Sequence, residues 1–256
     1  MSGPPRWAIS QPRMHATLAG NLAETLRALE NAAAAGAEGC VCAELALTGF
    51  HRGVPALVDA DALAAAEAEL RAACARLGVA AAVGVPTLGG GGAVFSSHLH
   101  IDAAGREVGR VHKRGLTASE AGFFTPGGAR GWTALSGVLA TSVLCREMLD
   151  GAELAPELHA ALSAHDAAVP RVVFWPSYIG ESDAEQAALC EAYRAGAAEL
   201  ARALGAWVLQ SNWPESLNAP AQRGFGASCV IAPDGRRVAA LPRDAAAQVV
   251  AALGRR

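Results

Sequence analysis

The sequence predicts an α/β protein made of two similar halves, each alternating strands with helices and closing on a hairpin. Three observations predict it. Between Arg6 and Val85 the order is strand, helix, strand, helix, strand. Two later segments resemble each other, His98-Leu-His-Ile-Asp-Ala-Ala-Gly-Arg-Glu-Val108 and Ser228-Cys-Val-Ile-Ala-Pro-Asp-Gly-Arg-Arg-Val238, and each reads as a hairpin around a Gly turn. Hydrophobic residues make up 52% of the 256 residues and charged residues 18%, enough for a sizeable core and too apolar for disorder. No linker rich in Pro, Ser or charge interrupts the chain, so residues 1–256 are expected to form a single domain.

Arg6–Gln11 reads as the first strand. Asn21–Ala35 carries Leu22, Leu26 and Leu29 at helical spacing and stops at Gly36. Gly39–Glu44 is the second strand. Asp61–Leu77 repeats the helical pattern through Leu63, Leu70 and Leu77, and Gly78 ends it. Val79–Val85 is the third strand. Val94–Ile101 and Glu107–His112 form the first hairpin, followed by a Gly/Pro-rich loop over Gly122–Gly128. The second half runs as strand Gly137–Cys145, helix Ala155–Ala164, strand Arg171–Trp175, helix Ser182–Leu204 and strand Ala206–Ser211. It closes with the hairpin Ala227–Ala232 and Arg237–Leu241.

Several function classes drop out. A formal net charge of −3 gives no reason to expect nucleic acid or an anionic membrane as partner. The N-terminal Met1-Ser-Gly-Pro-Pro-Arg-Trp7 lacks the pattern of a signal peptide, and no apolar run is long enough to span a bilayer. Six cysteines are too sparse for a disulfide scaffold, which points to a reducing cytoplasm.

Three strand-like runs end in reactive side chains: Glu44, Lys113 and Cys145. In layered α/β proteins, ligands gather beyond the carboxyl ends of strands. A carboxylate, an amine and a thiol there point to one nucleophilic site. Each has a plainer reading. Cys145 could be a buried apolar cysteine, Glu44 a cap or surface carboxylate, and Lys113 part of a basic face with Arg110 and Arg114. Against these, the sequence turns polar directly after Cys145. Lys113 is also the only lysine among 21 basic residues, as a compact ammonium in a tight site requires. His98 and His100 share one strand face, as do Cys40 and Cys42, but no second pair has metal-ligand spacing around a loop, so core packing outweighs a zinc site. Gly89–Gly92 has no following Lys-Ser or Lys-Thr and is a turn, not a phosphate loop. Trp175-Pro-Ser-Tyr178 and Asn212-Trp213-Pro214 each either wall a pocket or pack. Arg130, Arg146 and Arg223 could hold a substrate carboxylate or be surface charges.

Read together, these segments resemble the nitrilase, or carbon-nitrogen hydrolase, superfamily over nearly the whole chain. The resemblance rests on Gln11, Asn21, Glu44-Leu-Ala-Leu-Thr-Gly49, then Gly105, Lys113, Leu116, Glu120 and Phe124-Thr-Pro-Gly127, then Cys145, Gly226-Ala-Ser228 and Pro233-Asp-Gly235. It implies a four-layer α-β-β-α sandwich and an amidase-like hydrolase that cleaves a non-peptide C–N bond through a Cys thioester, without metal or cofactor. Glu44 would be the general base, Lys113 the oxyanion's cation, Cys145 the nucleophile and Glu120 the residue orienting Lys113. The N–H of Arg146 would be a second oxyanion donor. Arg146, Trp175, Tyr178 and Phe124 are the candidates for substrate contact.

The sequence departs from the family at Arg146-Glu147, where many amidases carry aromatic-Asp, and at Ala43, where Pro is common. The short segment after Pro242 points to a reduced tail. The expected partners are a small amide or nitrile and a second copy of the chain, as a homodimer. The alternatives are an N-carbamoyl hydrolase, a nitrilase, or a non-catalytic member that kept the fold for binding or structure.

Overall fold

The structure is a computed structural model that describes residues 3–162, 169–180, 184–219, 221 and 225–254. In chain order its elements are β1 (Arg6–Gln11), α1 (Leu18–Ala34), β2 (Gly39–Val41), α2 (Ala60–Leu77), β3 (Ala80–Leu88), β4 (Val94–Ile101), β5 (Glu107–His112), β6 (Thr133–Leu135), β7 (Val138–Ser142), α3 (Gly151–Ala161), β8 (Arg171–Ser177), α4 (Ala184–Leu204), β9 (Trp207–Asn212), β10 (Cys229–Ile231), β11 (Arg237–Ala240) and β12 (Ala247–Ala252).

The helices begin and end where local chemistry dictates. The Thr17 side chain accepts from Gly20 N at the start of α1, and Asp59 Oδ1 accepts from Ala62 N at 2.9 Å at the start of α2. Gly78 caps the end of α2, its N–H donating to Cys74 O. No helix among the described residues is long and apolar enough to cross a membrane.

The strands form two six-stranded sheets, ordered β12-β1-β2-β3-β4-β5 and β11-β10-β9-β8-β7-β6. Each has three parallel central strands, one antiparallel strand on one side and an antiparallel hairpin on the other. The two halves therefore repeat one plan, as the paired hairpin sequences predict. Three apolar layers hold it together. Leu29, Leu70, Cys74 and Val83 join α1 and α2 to the first sheet; Leu158, Leu200, Val173 and Val208 join α3 and α4 to the second. Trp7, Ile9, Ala82, Ala140, Phe174 and Leu209 fill the space between the sheets. The result is the α-β-β-α sandwich that the resemblance implies.

Two strands are shorter than the sequence predicts. The runs toward Glu44 and Cys145 leave the ladder early, at Val41 and Ser142. Leu45 and Cys145 sit at φ +51° and +48°, outside the conformations a strand allows. Gly84 makes room for the first of these turns, since a Cβ there would lie 2.3 Å from both Ala43 O and Leu45 N. Two elements go unread in the sequence. The three-residue β6 covers the edge of β7, and β12 brings the C-terminal segment back to pair with β1. The short tail is thus the sixth strand of the first sheet. Helix α3 starts four residues early because the 3-10 turn Cys145–Asp150 runs straight into it; its expected end at 163–164, and the expected start of α4 at 182–183, lie outside the described residues.

Candidate active site

Glu44 leaves β2 with its carboxyl group fully buried. Its backbone carbonyl accepts from Trp213 Nε1 at 2.8 Å, a contact from β9's loop that fixes the turn. Oε1 accepts from Lys113 Nζ at 2.7 Å, while Oε2 is buried with no hydrogen-bond partner. Burial raises the Glu44 pKa to about 7 against the opposing pull of Lys113, and the Cys145 thiol also steadies the carboxylate.

Lys113 follows β5, its backbone bonded to Ser96 O and to Gly127 N. The ammonium is wholly buried and donates to Glu44 Oε1 and, at 2.5 Å, to Glu120 Oε1. Burial alone would strip its proton; the carboxylates of Glu44 and Glu120 outweigh that and hold it charged. Glu120 Oε2 accepts from Thr117 N at 2.7 Å, so both of its oxygens are engaged.

Cys145 opens its 3-10 turn in the left-handed region, a strained position for a non-Gly residue. Trp175 Nε1 donates to its carbonyl at 3.1 Å, and Sγ lies 3.8 Å from Tyr178 O. Burial and the nearby Glu44 charge push its pKa up, so the resting sulfur is a thiol. A thiol, a carboxylate with a free oxygen and a fixed cation can together perform base-assisted nucleophilic attack on a carbonyl carbon.

Behind this cluster lies an ion pair that the sequence reading did not anticipate. Glu147 accepts from Leu144 N (2.8 Å), Arg114 N (2.7 Å), Gly115 N (2.9 Å) and both terminal nitrogens of Arg130 (2.8 and 2.9 Å). It thereby ties the turn before Cys145 to the loop after Lys113. Arg130 holds the Glu147 pKa below the usual range even against burial. Arg130 is 6% exposed and also donates to Ser142 O, so it is neither a surface charge nor a substrate ligand. The only sequence clue is an acid two residues after the cysteine, where many amidases of the family carry aromatic-Asp.

A cavity of about 450 Å³ opens over Glu120, lined by Leu45, Phe50, Val54, Phe123, Phe124 and Tyr178 among others. Phe124 and Tyr178, two of the four candidates for substrate contact, both line this cavity. Trp175 does not: it is fully buried against the helical layer, beneath the nucleophile's carbonyl, because its indole N–H is spent there. The Arg146 side chain turns away to Asp150, with nitrogen–oxygen separations of 3.4 Å, and does not line the cavity. Trp213 is buried and packs, holding Glu44. Phe50, His51, Arg52, Val54 and Pro55 line the cavity as one loop; Arg223 lies outside the described residues. His98 and His100 sit between the sheets, 2.7 and 2.8 Å from the Ser142 hydroxyl.

The carbon-nitrogen hydrolase family model matches residues 6–255. Among solved structures, an amidase from Nesterenkonia sp. aligns with a TM-score of 0.79 at 20% identity, covering 98% of this chain and 90% of that one. A cysteine-to-alanine mutant of the Nesterenkonia sp. AN1 amidase in complex with butyramide aligns with a TM-score of 0.81 at 20% identity, over 97% and 90%. Another mutant of that amidase carries the acetamide moiety of fluoroacetamide on its active-site cysteine, and aligns with a TM-score of 0.80 at 20% identity, over 97% and 90%. At this identity the likeness is one of fold. No curated protein matches the chain.

Proposed function

The chain belongs to the carbon-nitrogen hydrolase family, and from that premise we propose that it hydrolyses a small non-peptide amide, releasing ammonia through a thioester on Cys145. One observation carries the reading: Lys113 Nζ is clamped between Glu44 and Glu120, with the second Glu44 oxygen left free beside the Cys145 thiol. The amidase in complex with butyramide and the one modified by fluoroacetamide supply the analogy for an amide substrate.

In this mechanism Glu44 Oε2 takes the thiol proton as Sγ attacks the amide carbon. Because the thiol pKa is raised, attack and proton transfer occur together. Lys113 and the Arg146 N–H stabilise the oxyanion. As the C–N bond breaks, the proton on Glu44 passes to the nitrogen and ammonia leaves. Glu44 then draws a proton from water, the resulting hydroxide attacks the thioester, and the acid departs as the proton returns to Sγ. Glu120 holds Lys113 in line throughout, and Phe124 and Tyr178 wall the acyl group. No step calls for a metal or cofactor. That Glu147 is occupied by Arg130 and three backbone N–H groups, outside the reacting cluster, favours a working hydrolase over a non-catalytic member.

We further propose that residues 1–256 act as one domain and that the protein works in the cytoplasm as a homodimer. All six cysteines are free and buried, which supports a reducing setting. Exposed Leu149 and Leu189, beside the nucleophile turn and on α4, support a contact there.

The test is ammonia release from butyramide, an N-carbamoyl amino acid and a nitrile, with intact mass recorded. Wild type should release ammonia from the amide, and Cys145→Ala should release none. Turnover of only the nitrile or only the carbamoyl compound would reassign the substrate class; no turnover of any, with all six cysteines alkylated equally by iodoacetamide, would sink the enzyme reading.

A further inference from the structure

The cavity over Glu120 is larger than a few-atom amide needs and falls in the range of pockets that enclose sizeable ligands. Its walls are mostly aromatic and aliphatic. Phe50 and Tyr178 stack with centroids 4.5 Å apart, and Leu45, Val54, Pro55, Phe123 and Phe124 complete the apolar surface.

The polar side chains of this lining can be accounted for one by one. Both Glu120 oxygens are engaged, by Lys113 and Thr117 N. The Tyr178 hydroxyl bonds Ser216. Asn218 accepts from Arg52 N and donates to Phe50 O and Tyr178 Oη. His51 Nε2 lies 3.0 Å from Thr48 O and Nδ1 accepts from Gly53 N at 3.0 Å, so both ring nitrogens are engaged. Ser119 pairs with Thr117. What remains is the Arg52 guanidinium, which has no hydrogen bond or ion pair among the described residues. Among the described residues Arg52 is thus the lining's charged side chain without a partner, a cation with a planar fork of donors suited to a carboxylate.

Resting on the amide-hydrolase reading above, we propose that the cavity selects amides whose apolar acyl chain ends in a carboxylate, with Arg52 as the anion's partner and a specificity determinant. The aromatic walls bury the chain, the amide carbon reaches Cys145, and the far carboxylate meets Arg52 near the mouth.

The test compares adipic acid monoamide with hexanamide, which has a methyl in place of the carboxylate, and follows ammonia. Wild type should prefer the carboxylate substrate in kcat/KM by about two- to fivefold, the scale of an exposed charge pair. The preference should sit mainly in KM. Arg52→Gln should bring the ratio close to one, and raising the salt concentration should narrow the wild-type ratio. Equal use of the two amides by wild type, or a ratio that survives both Arg52→Gln and salt, overturns the proposal while leaving the amidase reading intact. Ammonia from neither of these amides nor from butyramide overturns the amidase reading and this proposal with it.

Discussion

At the residue scale, the proposed base Glu44 should set the pH at which the site works. Its pKa of about 7 is raised by burial, and only its deprotonated form can accept the thiol proton. The Cys145 thiol is pushed up, not down, so no second group shares the acid limb. The plot of kcat/KM against pH should therefore rise about tenfold per unit below a midpoint near 7 and flatten above it. A limb near pH 4, the ordinary carboxylate range, would show that Glu44 is not the base. Glu44→Gln should remove both the limb and the activity. Trp213→Phe tests the support of that base: it keeps the packing and deletes one hydrogen bond to Glu44 O. It should cost about 1 kcal/mol of stability in urea unfolding, with kcat lowered more than KM is raised. Glu44, Lys113 and Cys145 were legible because each is chemically unlike its setting, a charged or reactive side chain closing an apolar run. Glu120 was found through the resemblance. Arg52 was hidden, since nothing local distinguishes one arginine in a loop from another.

At the element scale, the side chains of the candidate site stand on turns and not on strands, and what holds the turns is the Glu147–Arg130 pair. One carboxylate serves Leu144 N, Arg114 N and Gly115 N and is neutralised by a buried guanidinium. Removing one partner strands the other's charge in the interior. Glu147→Ala should thus lower unfolding stability by about 3–5 kcal/mol, read from urea titration with its slope unchanged. The double variant Glu147→Met with Arg130→Met should recover much of that stability, because no buried charge is left unpaired. It should not recover activity, because three backbone N–H groups lose the acceptor that sets the two loops. Full activity in the double variant would show that the turns hold themselves. The sequence shows why this pair was missed. Arg130 lies in a Gly-rich loop, where an arginine reads as surface charge, and only the tertiary fold brings it under the nucleophile. Trp175 failed as a pocket wall for the same reason: its strand position was legible, but which face it turned toward depended on the Cys145 turn.

At the scale of the whole molecule, the two-half plan was legible because it is written twice, in helical leucine spacing and in paired hairpins around Gly105 and Gly235. The two strands missed, β6 and β12, lie at or next to sheet edges. A three-residue strand carries too short a pattern, and Ala247-Gln-Val-Val-Ala-Ala252 pairs with a strand at the opposite end of the chain. Between the sheets lies a polar node that joins the halves: His98 and His100 of the first sheet bracket the Ser142 hydroxyl of the second. Burial lowers the His100 pKa to about 4 and that of His98 well below its ordinary value, so both rings are neutral in the folded protein. The sign follows from which state binds more protons. Below pH 6.5 the unfolded histidine is charged while the folded one is not, so stability falls as pH drops from 6.5 toward 4. From His100 alone the loss is about 3 kcal/mol at the lower end, at 1.36 kcal/mol per unit. Glu44 acts in the opposite sense, its raised pKa favouring the folded state at low pH and losing that contribution as pH rises from 4.5 to 7. The clean measurement is therefore a difference. Urea unfolding of wild type and His100→Leu across pH 4 to 7 should give curves that converge as pH falls, because the variant has lost one of the groups that penalise folding in acid. Parallel curves across that range would mean that His100 takes up a proton inside the sandwich as readily as outside it.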